Sequence, residues 1–446
     1  MTFPENFTWG AAASSYQIEG AKLDDGKGLS IWDTFCEQPE KIWENNNGST
    51  ACNHYHLFRD DVKLMAEIGL KAYRLSISWP RVLPKGTGQI NPKGLDFYDK
   101  VVDELLKNNI EPWVTLFHWD YPYELFARGG WLNPDSPDWF AEYANVIVNK
   151  LSDRVKHWMT LNEPQVFIGM GHQKGLHAPG YKSGFRDILL AAHHSLLAHG
   201  KAVQSIRALS KQKSIVGAAP VGVVFMPQDN TAQNIEIARK KMFSVENFDV
   251  WNNCWFADPM VLGEYPKDGL KMFEEFMPEI KTGDLKLIAQ PLDFYGANIY
   301  MGSYIDESGK IELDQGPAYT TMGWRITPPA LYWGPRFLYE RYKLPVVVTE
   351  NGMANCDWIH SDGKIHDPQR IDYVNVHLHQ LKKAIADGIP VTGYFLWSVM
   401  DNFEWEHGYK QRFGLIYVDY KTQKRYLKDS AYWYKKTIIE NGKSIL

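Results

Sequence analysis

Short apolar runs rich in β-branched and aromatic residues recur along the whole chain. Each is followed by a polar or Gly/Pro break and then by apolar residues at helical spacing. Eight such runs predict strands over residues 7–13, 71–78, 112–118, 157–162, 215–221, 292–300, 345–350 and 391–397. The pattern between them predicts helices over 58–68 and 97–107, the second with Asp and Glu early and Lys late, as the helix dipole favours. Further helices are predicted over 137–151, opened by Pro and Asp, over 185–209, and over 370–387, where Gly388 stops the pattern. No Ser/Gly-rich linker or low-complexity tract interrupts the series. Parallel strands need helical crossovers, and eight of them close around a packed interior. The expectation is therefore an α/β fold, a single (β/α)8 TIM barrel, with residues 1–446 as one domain. An open doubly wound sheet is the alternative, but no G-x-G-x-x-G turn follows the first run.

Composition narrows the partners. The 53 acidic residues exceed the 48 basic ones, and no Lys/Arg stripe appears, which argues against a nucleic-acid surface. No window of 18 apolar residues suggests a membrane span, and the first residues lack a basic patch followed by an apolar stretch. A soluble cytoplasmic protein is expected. Cys36, Cys52, Cys254 and Cys356 have neither metal spacing nor disulfide density and are expected to be reduced, half-buried core residues. The sequons at Asn6 and Asn47 then read as chance matches. Aromatic residues make up 14% of the chain, with 17 Trp, which fits either a ring-padded core or rings lining a sugar site.

The residues that close the predicted strands are unusually polar. In a barrel, chemistry gathers at these ends. Gln17 follows the first run, Arg74 lies in the second, His118-Trp119-Asp120 ends the third and Asn162-Glu163-Pro164 the fourth. The fifth offers only Pro220, Val221 and Gly222. Asn298-Ile299-Tyr300 ends the sixth, Thr349-Glu350-Asn351-Gly352 the seventh, and Trp397-Ser398 the eighth, followed by Asp401-Asn402-Phe403-Glu404-Trp405. Glu163 and Glu350 would face each other across the barrel mouth. Two carboxylates flanking a pocket suit glycosidic-bond cleavage, one protonating the leaving oxygen and the other, ionised, attacking the anomeric carbon or activating water.

The sequence also resembles the family-one glycoside hydrolases, of which β-glucosidases are the commonest members. The match runs through residues 7–20, from Phe7-Thr8-Trp9-Gly10 to Gln17-Ile18-Glu19-Gly20, Ser76-Ile77-Ser78-Trp79-Pro80-Arg81, Thr160-Leu161-Asn162-Glu163-Pro164, His177-Ala178-Pro179-Gly180, Val348-Thr349-Glu350-Asn351-Gly352 and residues 393–405. The resemblance implies a retaining, exo-acting β-glycosidase without cofactor or metal, taking β-glycosides and short oligosaccharides such as cellobiose. By resemblance Glu350 is the nucleophile and Glu163 the acid/base, with carboxyl groups about 5 to 5.5 Å apart. Arg74 and the Tyr300 hydroxyl would hold Glu350 ionised, with Asn298 supporting, while burial and the Glu350 charge would raise the Glu163 pKa.

Gln17, His118, Asn162, Trp397, Glu404 and Trp405 match the family's glycone-binding set. Trp119 stands between pocket and packing. Trp324 matches an aglycone-side position, with His172 and Phe413 as weaker candidates. Glu404, gripping O4 and O6, would repel a 6-phosphosugar, so an unphosphorylated sugar is expected. Glucose leads galactose and fucose on family frequency. Gln165, where many relatives carry Trp, and the absence of an Asn at the end of the fifth strand leave the preferred leaving group open. Two rivals have distinct marks. A metal hydrolase would use the pairs His54/His56, His193/His194 or His377/His379, none of which closes a strand, and a non-catalytic sugar binder would have lost one carboxylate. Oligomeric state has no mark in the sequence.

Overall fold

The computed structural model describes residues 2–311 and 316–445. Eight strands form one all-parallel sheet: β1 (Thr8–Ala12), β2 (Ala72–Ser76), β3 (Glu111–Phe117), β4 (His157–Asn162), β5 (Ile215–Ala219), β6 (Tyr295–Asn298), β7 (Val346–Asn351) and β8 (Val391–Trp397). Their order, β5-β4-β3-β2-β1-β8-β7-β6, follows the chain around a ring, which sets aside the doubly wound alternative. Each predicted run overlaps one of these strands, with Glu111 and Asn351 each one residue outside the predicted bounds.

The ring closes between β5 and β6 without a regular ladder. Three backbone bonds bridge the gap: Asp293 N–H to Val216 O (2.8 Å), Asn298 N–H to Pro220 O (3.1 Å) and Gly222 N–H to Asn298 O (2.8 Å). The two edges come so close that a Cβ on Gly296 would lie 2.4 Å from the Ala218 carbonyl oxygen. The predicted runs at 215–221 and 292–300 outreach the regular strands because their ends make these isolated bridges.

The barrel interior alternates large and small. Trp113, Met159, Phe294, Phe395 and Trp397 fill it against Ala12, Ala72 and Ala219, with Trp113 lying 4.9 Å from Phe395 and 5.6 Å from Phe294 between ring centroids. Small residues on β1, β2 and β5 leave the room that the rings occupy.

Outside the barrel run α1 (His54–Ile68), α2 (Pro92–Lys107), α3 (Ser136–Leu151), α4 (Phe185–Leu209), α5 (Ala330–Tyr342), α6 (Pro368–Ala386) and α7 (Asp429–Ile439). Each turns an apolar stripe inward, as α2 does with Phe97, Val101 and Leu105. α4 starts at Phe185 as predicted, whereas α1, α2, α3 and α6 begin one to five residues before the apolar pattern; Pro92, with no N–H to satisfy, starts α2. The sequence pattern missed a parallel pair, Val224–Pro227 with Gly302–Ile305, and a hairpin, Ile416–Asp419 with Lys424–Leu427. Four residues are too few to display a period. One cysteine expectation needs correcting: Cys36, Cys52 and Cys254 are buried and Cys356 is exposed, all as free thiols. Among the described residues no helix is long and apolar enough to cross a membrane.

Candidate active site

β4 stops at Asn162 because Glu163 takes a left-handed backbone (φ 46°, ψ 66°), after which Pro164 opens a short helix, Pro164–Ile168. A non-glycine residue held there is strained, and such strain persists where the surroundings fix it. Across the mouth, Glu350 lies within β7. Both carboxylates are buried.

Their neighbours differ. The Arg74 guanidinium donates through Nη1 to Glu350 Oε1, and the Tyr300 hydroxyl donates to Glu350 Oε2 (2.7 Å). Among the described residues Glu163 Oε1 receives the Asn298 amide alone, at 3.0 Å. Asn298 and Asn162 tie the two sides together. Asn162 Oδ1 accepts from Arg74 Nη2 (2.6 Å) and from Asn298 Nδ2 (3.0 Å), and Asn298 Oδ1 accepts from Thr349 Oγ1 (2.6 Å). These bonds fix the Asn162 amide so that its NH2 faces His118 Nε2 at 3.1 Å. That nitrogen must accept, which places the imidazole proton on Nδ1. Burial and the Arg74 charge push the His118 pKa well down, so the ring is neutral.

Burial raises both catalytic candidates. Glu163 is pushed up to about 8 by burial and by the negative charge on Glu350, with the Asn298 bond acting weakly the other way. Burial also pushes Glu350 up, but there Arg74 and Tyr300 oppose it. Of the two, Glu350 keeps the charge and Glu163 the proton. Burial and the glutamates hold the Tyr300 phenol well above its usual value, so it remains a donor.

The remaining predicted residues gather on one side. Gln17 Nε2 reaches Asn402 Oδ1 (3.0 Å), Phe403 O (2.9 Å) and Glu404 Oε2 (3.4 Å), and its Oε1 accepts from Ser14 Oγ (2.6 Å). The His118 ring lies between Trp397 and Trp405, near-parallel to each at 5.8 and 5.9 Å. Trp119 backs Trp405 at 4.4 Å and gives its N–H to Asn162 O. Trp32, unremarked in the sequence, supports Trp405 at 4.5 Å. Trp324 is half-buried, 5.0 Å from Tyr300, with Phe413 6.0 Å behind it. His172 is buried beside the Tyr181 ring. Burial, then the charges of Glu406 and Glu350, raise Glu404 well above the carboxylate range.

Sequence reasoning passed over Ser14 and Asn402, which orient Gln17. Both lie inside the matched motifs, but neither closes a strand. It also passed over a buried ion cluster behind the loops that follow β7 and β8. Lys428 Nζ bonds Asp357 and Asp401, each at 2.6 Å. Arg412 pairs with Asp401 (2.6 Å), and Arg370 with Asp357 (2.7 Å) and Asp367. Three cations meet three carboxylates, so no net charge is buried.

The sequence pattern of "Glycosyl hydrolase family 1" matches residues 1–443. The chain belongs to that family. It is 45% identical to the 1,4-beta-D-glucan glucohydrolase of Thermotoga neapolitana, with 99% of each chain covered. Two solved structures of the Thermotoga maritima beta-glucosidase, in complex with glucoimidazole and with galacto-hydroximolactam, superpose with a TM-score of 0.91 at 43% identity over 99% of each chain.

Within this family 1 frame, the histidine pairs have other partners. His54 Nδ1 lies 2.7 Å from Asp61, His193 bonds Tyr265 and Asp284, His194 bonds Trp131 O, and His377 bonds Tyr373 O. The departure at Gln165 also finds a cause. Its buried amide spans the end of β5, accepting from Val221 N–H (3.2 Å) and donating to Val221 O (3.4 Å) and Asn252 O (3.3 Å). It braces the strand end that lacks an Asn.

Proposed function

We propose that the protein is a retaining, exo-acting β-glycosidase, chiefly a β-glucosidase, that removes terminal glucosyl units from β-glucosides and short oligosaccharides such as cellobiose. The unlike settings of the two carboxylates carry this reading. Glu350, beside a fixed cation and a phenol, attacks the anomeric carbon while Glu163 gives its proton to the departing glycosidic oxygen. The covalent glycosyl-enzyme cancels the Glu350 charge, which removes one cause of the raised Glu163 pKa. Glu163 then ionises and takes a proton from the incoming water, whose oxygen displaces Glu350 with net retention. Asn162, His118, Gln17 and Glu404 offer donors and acceptors for the ring hydroxyls, and the Trp397 and Trp405 indoles apolar faces.

The acidic side of the pocket favours unphosphorylated sugars. Glu404 has the charges of Glu406 and Glu350 near it, and Arg74 is already engaged by Glu350. The T. maritima complexes contain both gluco- and galacto-configured inhibitors, which supports some tolerance at O4 in this chain as well.

A panel of chromogenic β-glycosides tests the reading: glucoside, galactoside, fucoside and 6-phosphoglucoside, assayed with the parent, Glu350→Ala and Glu163→Ala. The glucoside is expected to be cleaved fastest, with Glu350→Ala inactive and azide partly rescuing Glu163→Ala. Full activity in Glu350→Ala would refute the mechanism, and preference for the phosphorylated substrate would refute the Glu404 argument.

A further inference from the structure

A groove of about 570 Å³ opens where the loops after β1, β4 and β8 meet, on the same barrel face as the carboxylates. Trp43 and Leu176 form its apolar walls, 47% and 50% exposed. Large apolar side chains left this open beside a polar lining suit a ligand with apolar faces and hydroxyl edges. Lys410 covers one face of the Trp43 ring, its ammonium 3.9 Å from the centroid, so the indole is held in place with its other face available.

The Trp43 loop is pre-shaped. Glu40, Glu44 and Asn45 adopt left-handed backbones, Asn45 Oδ1 accepts from Glu40 N–H (3.0 Å), and Ile42 is anchored in the core. Groove and glycone site share a wall. Glu406 lines the groove and directly follows Trp405. Its carboxylate bonds His177, whose ring packs 5.5 Å from Trp119.

We propose that this groove is an outer saccharide site that holds a pyranose ring, stacked on Trp43, of a neutral β-linked glucan whose non-reducing end occupies the catalytic pocket. The inference rests on the function proposed above. The occupant follows from three features: the shared wall with the glycone site, the free indole face, and the excess of Glu40, Glu44 and Glu406 over Lys41 and the Lys410 that covers Trp43, which disfavours uronates and sulfated sugars. Glu44, Glu40 and Asn45 supply side chains for hydroxyl hydrogen bonds.

The test is the ratio of kcat/KM for cellotetraose to that for p-nitrophenyl β-glucoside, in the parent, Trp43→Ala, Trp43→Phe and Leu176→Ala. Loss of the platform is expected to lower the ratio about fivefold in Trp43→Ala. A smaller fall is expected in Leu176→Ala, with Trp43→Phe within about twofold of the parent because a ring remains. If Trp43→Ala does not fold, the exposed Leu176→Ala decides alone. A parent that cleaves both substrates while the ratio stays fixed across the variants overturns the groove proposal and leaves the proposed function standing. A parent that cleaves neither overturns both.

Discussion

An ionised Glu163 would be bonded by the Asn298 amide, with the Arg74 charge acting only from a distance, whereas Glu350 is bonded by a guanidinium and a phenol. The difference has consequences for stability as well as chemistry. A carboxyl whose pKa rises from 4.5 to about 8 on folding stabilises the fold only while protonated, and the benefit fades as pH climbs through that window. Glu163→Gln keeps the shape without the charge. It is therefore expected to melt at a higher temperature than the parent at pH 9 and at nearly the same temperature at pH 4, and calorimetry at the two pH values checks this. Tyr300→Phe removes a donor from Glu350 and leaves the ring. A hydrogen bond to a charged group contributes about 1.5–3 kcal/mol, so kcat/KM for an aryl glucoside is expected to fall about 10- to 100-fold. An unchanged rate would mean that Arg74 alone suffices to hold the charge. These two carboxylates were legible in the sequence because each ends an apolar run with a charge. Ser14 and Asn402 were not, since their value lies in a chain of bonds through Gln17 that spans 385 residues.

At the scale of elements, the loop after β8 owes its position to a buried ion cluster behind it. Lys428, at the start of α7, holds Asp357 from the loop after β7 and Asp401 from the loop after β8. Lys428→Met fits the volume but strands two buried carboxylates. Breaking such a network costs about 3–5 kcal/mol, which chemical denaturation measures. A neutral result would mean that Arg370 and Arg412 carry the carboxylates unaided. The same variant is expected to raise KM for glucosides, because Asp401 also accepts from Gly414 N–H at 3.0 Å and so fixes the turn behind Glu404. The sequence could not disclose this cluster. Its members are single charged residues scattered from 357 to 428, and nothing in their spacing distinguishes them from solvated surface charges. The strands and long helices were legible for the opposite reason: each is a local apolar pattern repeated often enough to register.

For the whole molecule, the barrel was readable from eight alternations and the absence of linkers, but its closure was not. Closure depends on Gly296 and Gly217, whose missing side chains let two edges touch; a Cβ on Gly217 would strike the Phe294 ring at 2.6 Å. A glycine in a strand reads equally as weakness or as close approach. Seven of the eight strand interfaces are laddered, and the eighth is basted with isolated bonds. Such a ring has a place to come undone. Local opening draws on the least cross-linked region, so deuterium should enter the amides of Gly222 and Asn298 well before those in the middle of β2 or β3. Mass-spectrometric exchange would resolve the order, and equal protection around the ring would contradict it. A sugar bridging Glu163 and Glu350 would then act as a clasp across the β5–β6 edge, through Asn298, and slow exchange at that seam.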